Sequence, residues 1–580
     1  MPTLDTSFVP AEIDATDWSN IEPLFTALRD RPVENAAEFE RWLIDRSELE
    51  AACSEAEANL YISMTCDTED ADAAGAFTKF LEEVSPRIKP AAFELDKVEA
   101  SYFDRFDLPE ERYLVLRRAT QAAVELFREA NVPLQTEIDK LAQKYQTVTG
   151  AMTVEFDGRE QTMPQMGKYQ ESNDRTVREA AWRICAERRL QDKDAIDEIF
   201  GEQVKLRQQV AKNAGFTNYV GYAFRSMLRF DYGTEDCFAF HDAVEKAVVP
   251  FNQRRLEERR ATLGVDTVRP WDVAVDPKGR RPLTPFEGGQ QLMQKAIAAF
   301  RRLDPRLADM LGELGDGSES RGSRDGACLD LDSRKGKAPG GYQYMRDRIR
   351  QPFIFMNAAG LHRDVETMVH EAGHAFHSQL SREDPLVGYR HAPIEFCEVA
   401  SMAMELMTMK HWGGPDGYYP DEADLGRAMR KQLQGSVSLL AWIATIDAFQ
   451  HWIYTNPDHT ADERCAHWLE LESRFGGGVD WSGLDAEHRW LWHRQPHLWG
   501  HPFYYIEYGI AQLGALQLWL ISLEQGEQAA IDLYIKGLSI GGSRPLPELF
   551  EATGLAFDFG AETVSRLVER VEAELAKLPE

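Results

Sequence analysis

Cysteine is scarce: seven residues in 580, at positions 53, 66, 185, 237, 328, 397 and 465, with no Cys-x-x-Cys pair. Such scattered, odd-numbered cysteines argue against a disulfide framework and fit a reducing compartment, expected here to be the cytoplasm. Positive charge is also short, with 65 Lys+Arg against 96 Asp+Glu and a net charge of −31. No basic tract offsets it, which argues against nucleic acid or an anionic membrane as the main partner. No stretch approaches twenty consecutive apolar residues, so no membrane span is expected. The start, Met1-Pro2-Thr3-Leu4-Asp5, lacks the basic-then-apolar order of a secretory signal. There is no internal repeat and no extended low-complexity tract.

Helical periodicity is what the chain has in abundance. Length alone suggests two to four compact units. Residues 20–150 read as long charged amphipathic helices. Val154-Glu155-Phe156, Asp157-Gly158 and Arg159-Glu160-Gln161 predict a hairpin with Asp-Gly at its turn. Helices resume over about 172–262. Residues 315–326, rich in Gly, Ser, Asp and Arg, read as a loop. A small mixed β region is expected over about 328–357, and helices follow to the end.

The chemistry concentrates in His370-Glu371-Ala372-Gly373-His374. Positions i and i+4 stack on one helix face, so the two histidines can share a metal. Glu371 sits about a hundred degrees round the helix, beside the metal, where it can take a proton from water. Val365, Met368, Val369, Ala372 and Phe376 form an amphipathic stripe, with Asp364 as the expected N-cap. Gly373 lets another backbone come close.

A catalytic zinc usually keeps three protein ligands and one open position. Downstream, Pro393 opens a second apolar helix on the stripe Phe396, Val399, Ala403 and Leu406. Glu398 and Glu405 share a face that Glu395 approaches from one turn earlier. Carboxylates on so apolar a helix need partners. Periodicity leaves Glu395 and Glu398 as competing ligands.

Trp492 to Gly509 is dense in His and Tyr. Pro496, Gly500 and Pro502 break any long helix there, so a loop carrying His497 is expected, then a helix from about Pro502. On it Tyr505 and Tyr508 share a face that Tyr504 can join. Tyr and His are neutral donors suited to an oxyanion. Upstream, Phe353-Ile354-Phe355-Met356 between Pro352 and Asn357 reads as a strand, and the proline suits an edge. An edge here could pair with an extended peptide substrate, with Gly340 and Gly341 letting the flanking loop approach.

His370 to His374, followed 24 residues later by Glu398 within Glu395-Phe396-Cys397-Glu398-Val399-Ala400-Ser401, resembles the zinc oligopeptidase family of thimet oligopeptidase and oligoendopeptidase F, closer to the latter branch. Leu331 to Tyr342 resembles its glycine-rich approach to the active site, and Gln351 to Asn357 its strand before the zinc helix. The resemblance implies a mainly α fold, two helical lobes enclosing a deep substrate cleft with a small β region beside the zinc helix. The expected division is an N-terminal helical region over 1–200 and a catalytic region over 201–580, forming one two-lobed unit. It implies one zinc held by His370, His374 and Glu398, with Glu405 orienting a ligand, Glu371 as base, and His497, Tyr505 and Tyr508 steadying the oxyanion. His391 matches a histidine near the substrate, and His501 stands where thimet-type enzymes carry a tyrosine. The implied function is hydrolysis of internal bonds in short unfolded peptides by a monomer or homodimer.

Two alternatives share these features. One is a zinc carboxypeptidase trimming single residues, which uses the same ligand set. The other is an inactive helical binding protein that keeps zinc for structure. A structural site usually fills all four positions with protein ligands, and no nearby Cys or His clearly supplies a fourth.

Overall fold

The computed structural model describes residues 8–163, 165–318, 326–334, 336–338 and 340–579. Residues 319–325 of the expected loop, and Lys335 and Pro339 of the glycine-rich approach, lie outside the described residues. Among the described residues the fold is mainly helical with two small sheets, as the sequence predicts.

Two large cores form. One gathers Phe39, Trp42, Leu43, Tyr102 and Phe103 with Leu386 and Tyr389. The other runs from Tyr145 to Leu575. A small cluster of Ile62, Cys66, Phe353 and Phe355 packs the N-terminal helix Ala36–Cys66 against the larger sheet.

The expected hairpin is present as β1 (Thr153–Phe156) and β2 (Arg159–Thr162), with Asp157 and Gly158 at φ +56° and +71°. Paired positive φ values make the tight turn whose twist matches the strands, and Asp-Gly tolerates them. The second sheet contains β3 (Leu329–Asp332), β4 (Tyr342–Arg346) and β5 (Gln351–Ala358), in the order β3-β5-β4.

That order corrects the sequence reading of Phe353, Ile354 and Phe355. β5 pairs parallel with β3 and antiparallel with β4, so it is the central strand and has no free edge. All three side chains are fully buried. Pro352 sits at the second position of β5, where a missing N–H is tolerated. The strand's continuous apolar run reflects burial on both faces. The edge strands of this sheet are β3 and β4, and β4 is the one beside Glu371.

Four helices frame the site, α2 (His362–Ser381), α3 (Ile394–Met407), α4 (Glu422–Thr455) and α5 (Tyr505–Gln525), and α1 (Thr234–Leu263) packs on α4. α2 begins two residues before the expected cap. Asp364 is not the N-cap but reaches back, accepting from the N–H of Ala359 at 2.8 Å and of Leu361 at 2.9 Å. α5 is long and apolar enough to cross a membrane by length and composition, which the residue count had not anticipated; 78% of its most apolar 18-residue window is buried inside the protein, where it serves as a core helix.

All seven cysteines are free, as their spacing predicts.

Candidate active site

α2 and α3 touch backbone to backbone. A Cβ on Gly373 would lie 2.5 Å from the carbonyl oxygen of Ala400 and 2.6 Å from Cα of Ser401. Any larger residue would push the two helices apart. Their contact brings His370, His374 and Glu398 together, with one ligand atom from each within 4.8 Å of the others. Nε2 of His370 lies 3.4 Å and Nε2 of His374 3.6 Å from Oε2 of Glu398. The Ser401 hydroxyl donates to the same Oε2 at 3.0 Å. The His370 and His374 side chains keep 22% and 17% of their surface exposed, so solvent and ligands can reach the group.

Geometry separates the two glutamates that periodicity could not. Glu395 accepts from the Tyr232 hydroxyl at 2.7 Å and lies 3.9 Å from buried Arg229. Its charge is satisfied away from the histidines, and Glu398 alone of the two joins them. Glu405 accepts from Nδ1 of His370 at 2.7 Å and from Nε2 of Gln432 at 2.7 Å. A carboxylate that fixes the far nitrogen of a ligating histidine orients the ring and raises its basicity.

The electrostatics match that geometry. Burial would pull the His370 imidazole down, but the Glu405 hydrogen bond and the charges of Glu398, Glu405 and Glu371 push it up to about 10. His374 moves the other way, to about 4, through burial and the charge on His370, against the pull of Glu398. Without a metal, the pair therefore carries one positive charge, on His370.

Glu371 is buried. Its carboxyl is pushed up to about 7, chiefly by burial; His370 opposes this while Glu398 and Glu405 reinforce it. The backbone of Gln343, on β4, hydrogen-bonds it, yet Oε2 has no partner. An orphaned buried oxygen beside two imidazoles and a carboxylate is a donor set suited to zinc with an open position for water.

Across the site, His497 opens a one-turn helix, His497–Gly500, and α5 starts at Tyr505, three residues later than Pro502. The delay comes from Phe503, whose φ of +67° interrupts the helix. Buried Arg229 holds it there, donating to the Phe503 carbonyl at 2.6 Å and to Glu507 at 2.8 Å. The Trp442 indole N–H, which can only donate, binds Oε1 of Gln495 at 2.9 Å. Gln495 must therefore present its NH₂ to Nδ1 of His497, 2.6 Å away. His497 is left with its proton on Nε2. Burial and the nearby His501 hold its imidazole down at about 4, so it is a neutral donor at ordinary pH.

The tyrosines sort differently from the sequence reading. Tyr504 brings its hydroxyl 3.4 Å from Oε1 of Glu398, nearest the metal group. Its ring packs against Tyr508 at 5.2 Å. Tyr505 instead hydrogen-bonds Trp442 and Gln495, behind His497. The His501 ring lies 6.5 Å from that of His497 and 6.2 Å from that of Tyr504. His391 donates from Nε2 to Oδ1 of Asp347 at 2.9 Å and is half exposed. Gly340 has φ +104°, and its carbonyl and that of Ala338 are pinned by Asn357. A Cβ on Gly341 would lie 3.9 Å from Oε1 of Glu371. Sequence reasoning does not reach Gln432, Trp442 or Gln495. Each acts through a hydrogen bond to a residue far along the chain or on another element, with no local pattern to mark it.

A helical fold carrying His370, His374 and Glu398 beside the partnerless Oε2 of Glu371 defines a metallopeptidase class, and residues 168–567 match Peptidase family M3, to which this chain belongs. The family is zinc-dependent, and the His-His-Glu group offers it a metal site. Among relatives, the chain is similar to oligopeptidase PepF of Bacillus subtilis (strain 168), 25% identical over 314 residues, 53% of this chain and 44% of that protein. Oligopeptidase A of Escherichia coli (strain K12) is 24% identical over 255 residues, 36% of this chain and 37% of that protein. The chain thus spans less than half the length of these curated relatives. The structure of PZ peptidase A with inhibitor 2 is similar throughout, with a TM-score of 0.86 and 26% identity, covering 98% of this chain and 99% of that one.

Proposed function

We propose that the protein is a zinc-dependent oligoendopeptidase that cleaves internal bonds of short, unfolded peptides. The observation that carries this reading is the partnerless, buried oxygen of Glu371 beside the His370, His374 and Glu398 donors. Those three residues would hold one zinc per chain, and the metal would supply polarisation of the scissile carbonyl and a lowered pKa of water, from about 15.7 towards about 7.

The remaining work falls to the chain. Glu371 takes the proton of the attacking water and delivers it to the leaving amine. Nε2–H of His497 and the hydroxyls of Tyr504 and Tyr508 donate to the oxygen that gains negative charge. Tyr505, with Gln495 and Trp442, positions His497. The outer edge of β4, which carries Gln343 next to Glu371, is where an extended peptide pairs main chain to main chain. Gly340 and Gly341 let the strand's approach lie close to the peptide. His391 and His501 contact substrate further along the groove.

Digestion of a mixed peptide library, read by mass spectrometry with and without a chelator, tests the proposal. Internal cuts abolished by the chelator are expected. Stepwise loss of single C-terminal residues would support a carboxypeptidase instead, and no cleavage despite one bound zinc would support a binding protein. Glu371→Gln keeps its zinc and loses turnover by about 10³-fold, within the range for a general base; wild-type turnover in that variant would refute the assignment.

A further inference from the structure

A second group of metal-ligating side chains lies away from the active site, between α1 and α4. Cys237 and His241 are four apart on α1, and Asp447 and His451 are four apart on α4. This is the spacing that lets His370 and His374 share one helix face, here used twice on facing helices. One ligand atom each from Cys237, Asp447 and His451 lies within 4.8 Å of the others. Nε2 of His241 lies 2.8 Å and Nε2 of His451 3.5 Å from Oδ2 of Asp447.

All four side chains are sealed from solvent, with exposures of 0% for Cys237 and Asp447 and 2% for His241 and His451. Aromatic rings wall them in: Phe224, Phe238 and Phe503 against His451, and Phe240 and Phe475 against His241. Yet Oδ1 of Asp447 and both ring nitrogens of His451 have no hydrogen-bond partner. Three polar atoms left unsatisfied in an apolar shell are costly. Nothing in the peptidase chemistry uses them.

We propose that Cys237, His241, Asp447 and His451 form a second, structural metal site that takes zinc. The donor set of one thiol, two imidazoles and a carboxylate is borderline-soft and fills four positions, as closed zinc sites do. Charge agrees with burial: a thiolate, a carboxylate and a dication sum to zero, so the loaded site carries no net charge into the core. Binding releases the Cys237 thiol proton to solvent. The alternative is a metal-free cluster in which His241 hydrogen-bonds Asp447 and Cys237 stays a thiol.

The site would also brace the active-site wall. His451 packs against Phe503 at 5.2 Å, and the neighbouring Gln450 accepts the Phe503 N–H at 2.6 Å. Tyr504 follows directly.

Metal analysis of the full chain, purified without chelator, is expected to find about two zinc per chain. Cobalt gives a signature specific to this site, because the His370, His374 and Glu398 ligands include no thiolate. Cobalt-loaded wild-type protein should show a thiolate-to-cobalt charge-transfer band in the near ultraviolet. Cys237→Ser should lose that band, and His370→Ala/His374→Ala should keep it while losing about one metal and the peptidase activity. About one zinc per chain with no thiolate band in the wild type would overturn the proposal, as would a band unchanged in Cys237→Ser. The wild-type readings stand even where a variant fails to fold, and they do not depend on whether the other site cleaves peptides.

Discussion

Glu405 accepts a hydrogen bond from Nδ1 of His370 at 2.7 Å, and that contact decides which ring nitrogen turns toward Glu398. A carboxylate only accepts, so the Nδ1 proton is fixed and the Nε2 lone pair is free for a metal. Glu405→Gln removes the charge that raises His370 and loosens the ring. Zinc affinity should fall about 10–100-fold in chelator competition, with turnover near wild type once zinc saturates. An unchanged affinity would show that Glu405 is an ordinary helix charge.

The approach of α2 to α3 at Gly373 leaves no room for a methyl group, which would sit 2.5 Å from a carbonyl oxygen. Gly373→Ala should cost about 1–3 kcal/mol in stability, as overpacking does, and weaken zinc binding at the same time. Thermal unfolding and metal content measured together check this. A variant as stable as wild type that binds zinc equally well would contradict it.

For His497, Gln495 supplies orientation and burial sets the charge. Gln495→Leu should lower kcat by about 10²-fold with KM little changed, the cost of a misplaced oxyanion donor. With its imidazole held at about 4, His497 stays neutral from pH 5 to 8. His497→Asn should therefore lower the pH–rate profile uniformly over that range. A shift of its acid limb would mean that His497 titrates within it.

His493 is buried among Trp490, Trp492 and Trp499, and burial, aided by the charges of Arg464 and Lys193, pulls its imidazole down to about 3. In the unfolded chain it titrates near an ordinary 6.5. As pH falls below about 6.5 the unfolded chain takes up a proton that the folded chain refuses. The stabilisation is thus complete above pH 6.5 and is lost towards pH 3, at about 1.4 kcal/mol per pH unit for one group. His493→Phe keeps a ring in place and should flatten the pH dependence of urea midpoints between pH 6.5 and 4 by about one proton. An equal slope in both proteins would rule this out.

The parts of the site legible in the sequence are those built from short-range helical spacing. His370, Glu371 and His374 follow from i, i+4 geometry, and Glu398 and Glu405 share a face for the same reason. The β1–β2 turn was legible because Asp-Gly suits the two positive φ values that it adopts. Strand order was not. The run Phe353 to Met356 is compatible with either an edge or a centre, and only the pairing of β5 with β3 and β4 decides. The tyrosine roles turned on where α5 begins, and that depends on Arg229 holding Phe503 from some 270 residues away in sequence. The Cys237/His241 and Asp447/His451 pairs carried the same i, i+4 signal as the active-site histidines. They lie about 200 residues apart, and only the packing of α1 on α4 joins them.

The backbone contact at Gly373 also bears on how such an enzyme could change. Ligand spacing is set where two main chains meet, whereas the donors opposite hang on a separate segment anchored by Arg229, Gln450 and Gln495. One wall is therefore fixed by the backbone and the other by side chains. On the proposed reading, substitutions along 497–508 that spare His497, Tyr504 and Tyr508 alter which peptides fit while the helix contact at Gly373 keeps the ligand spacing.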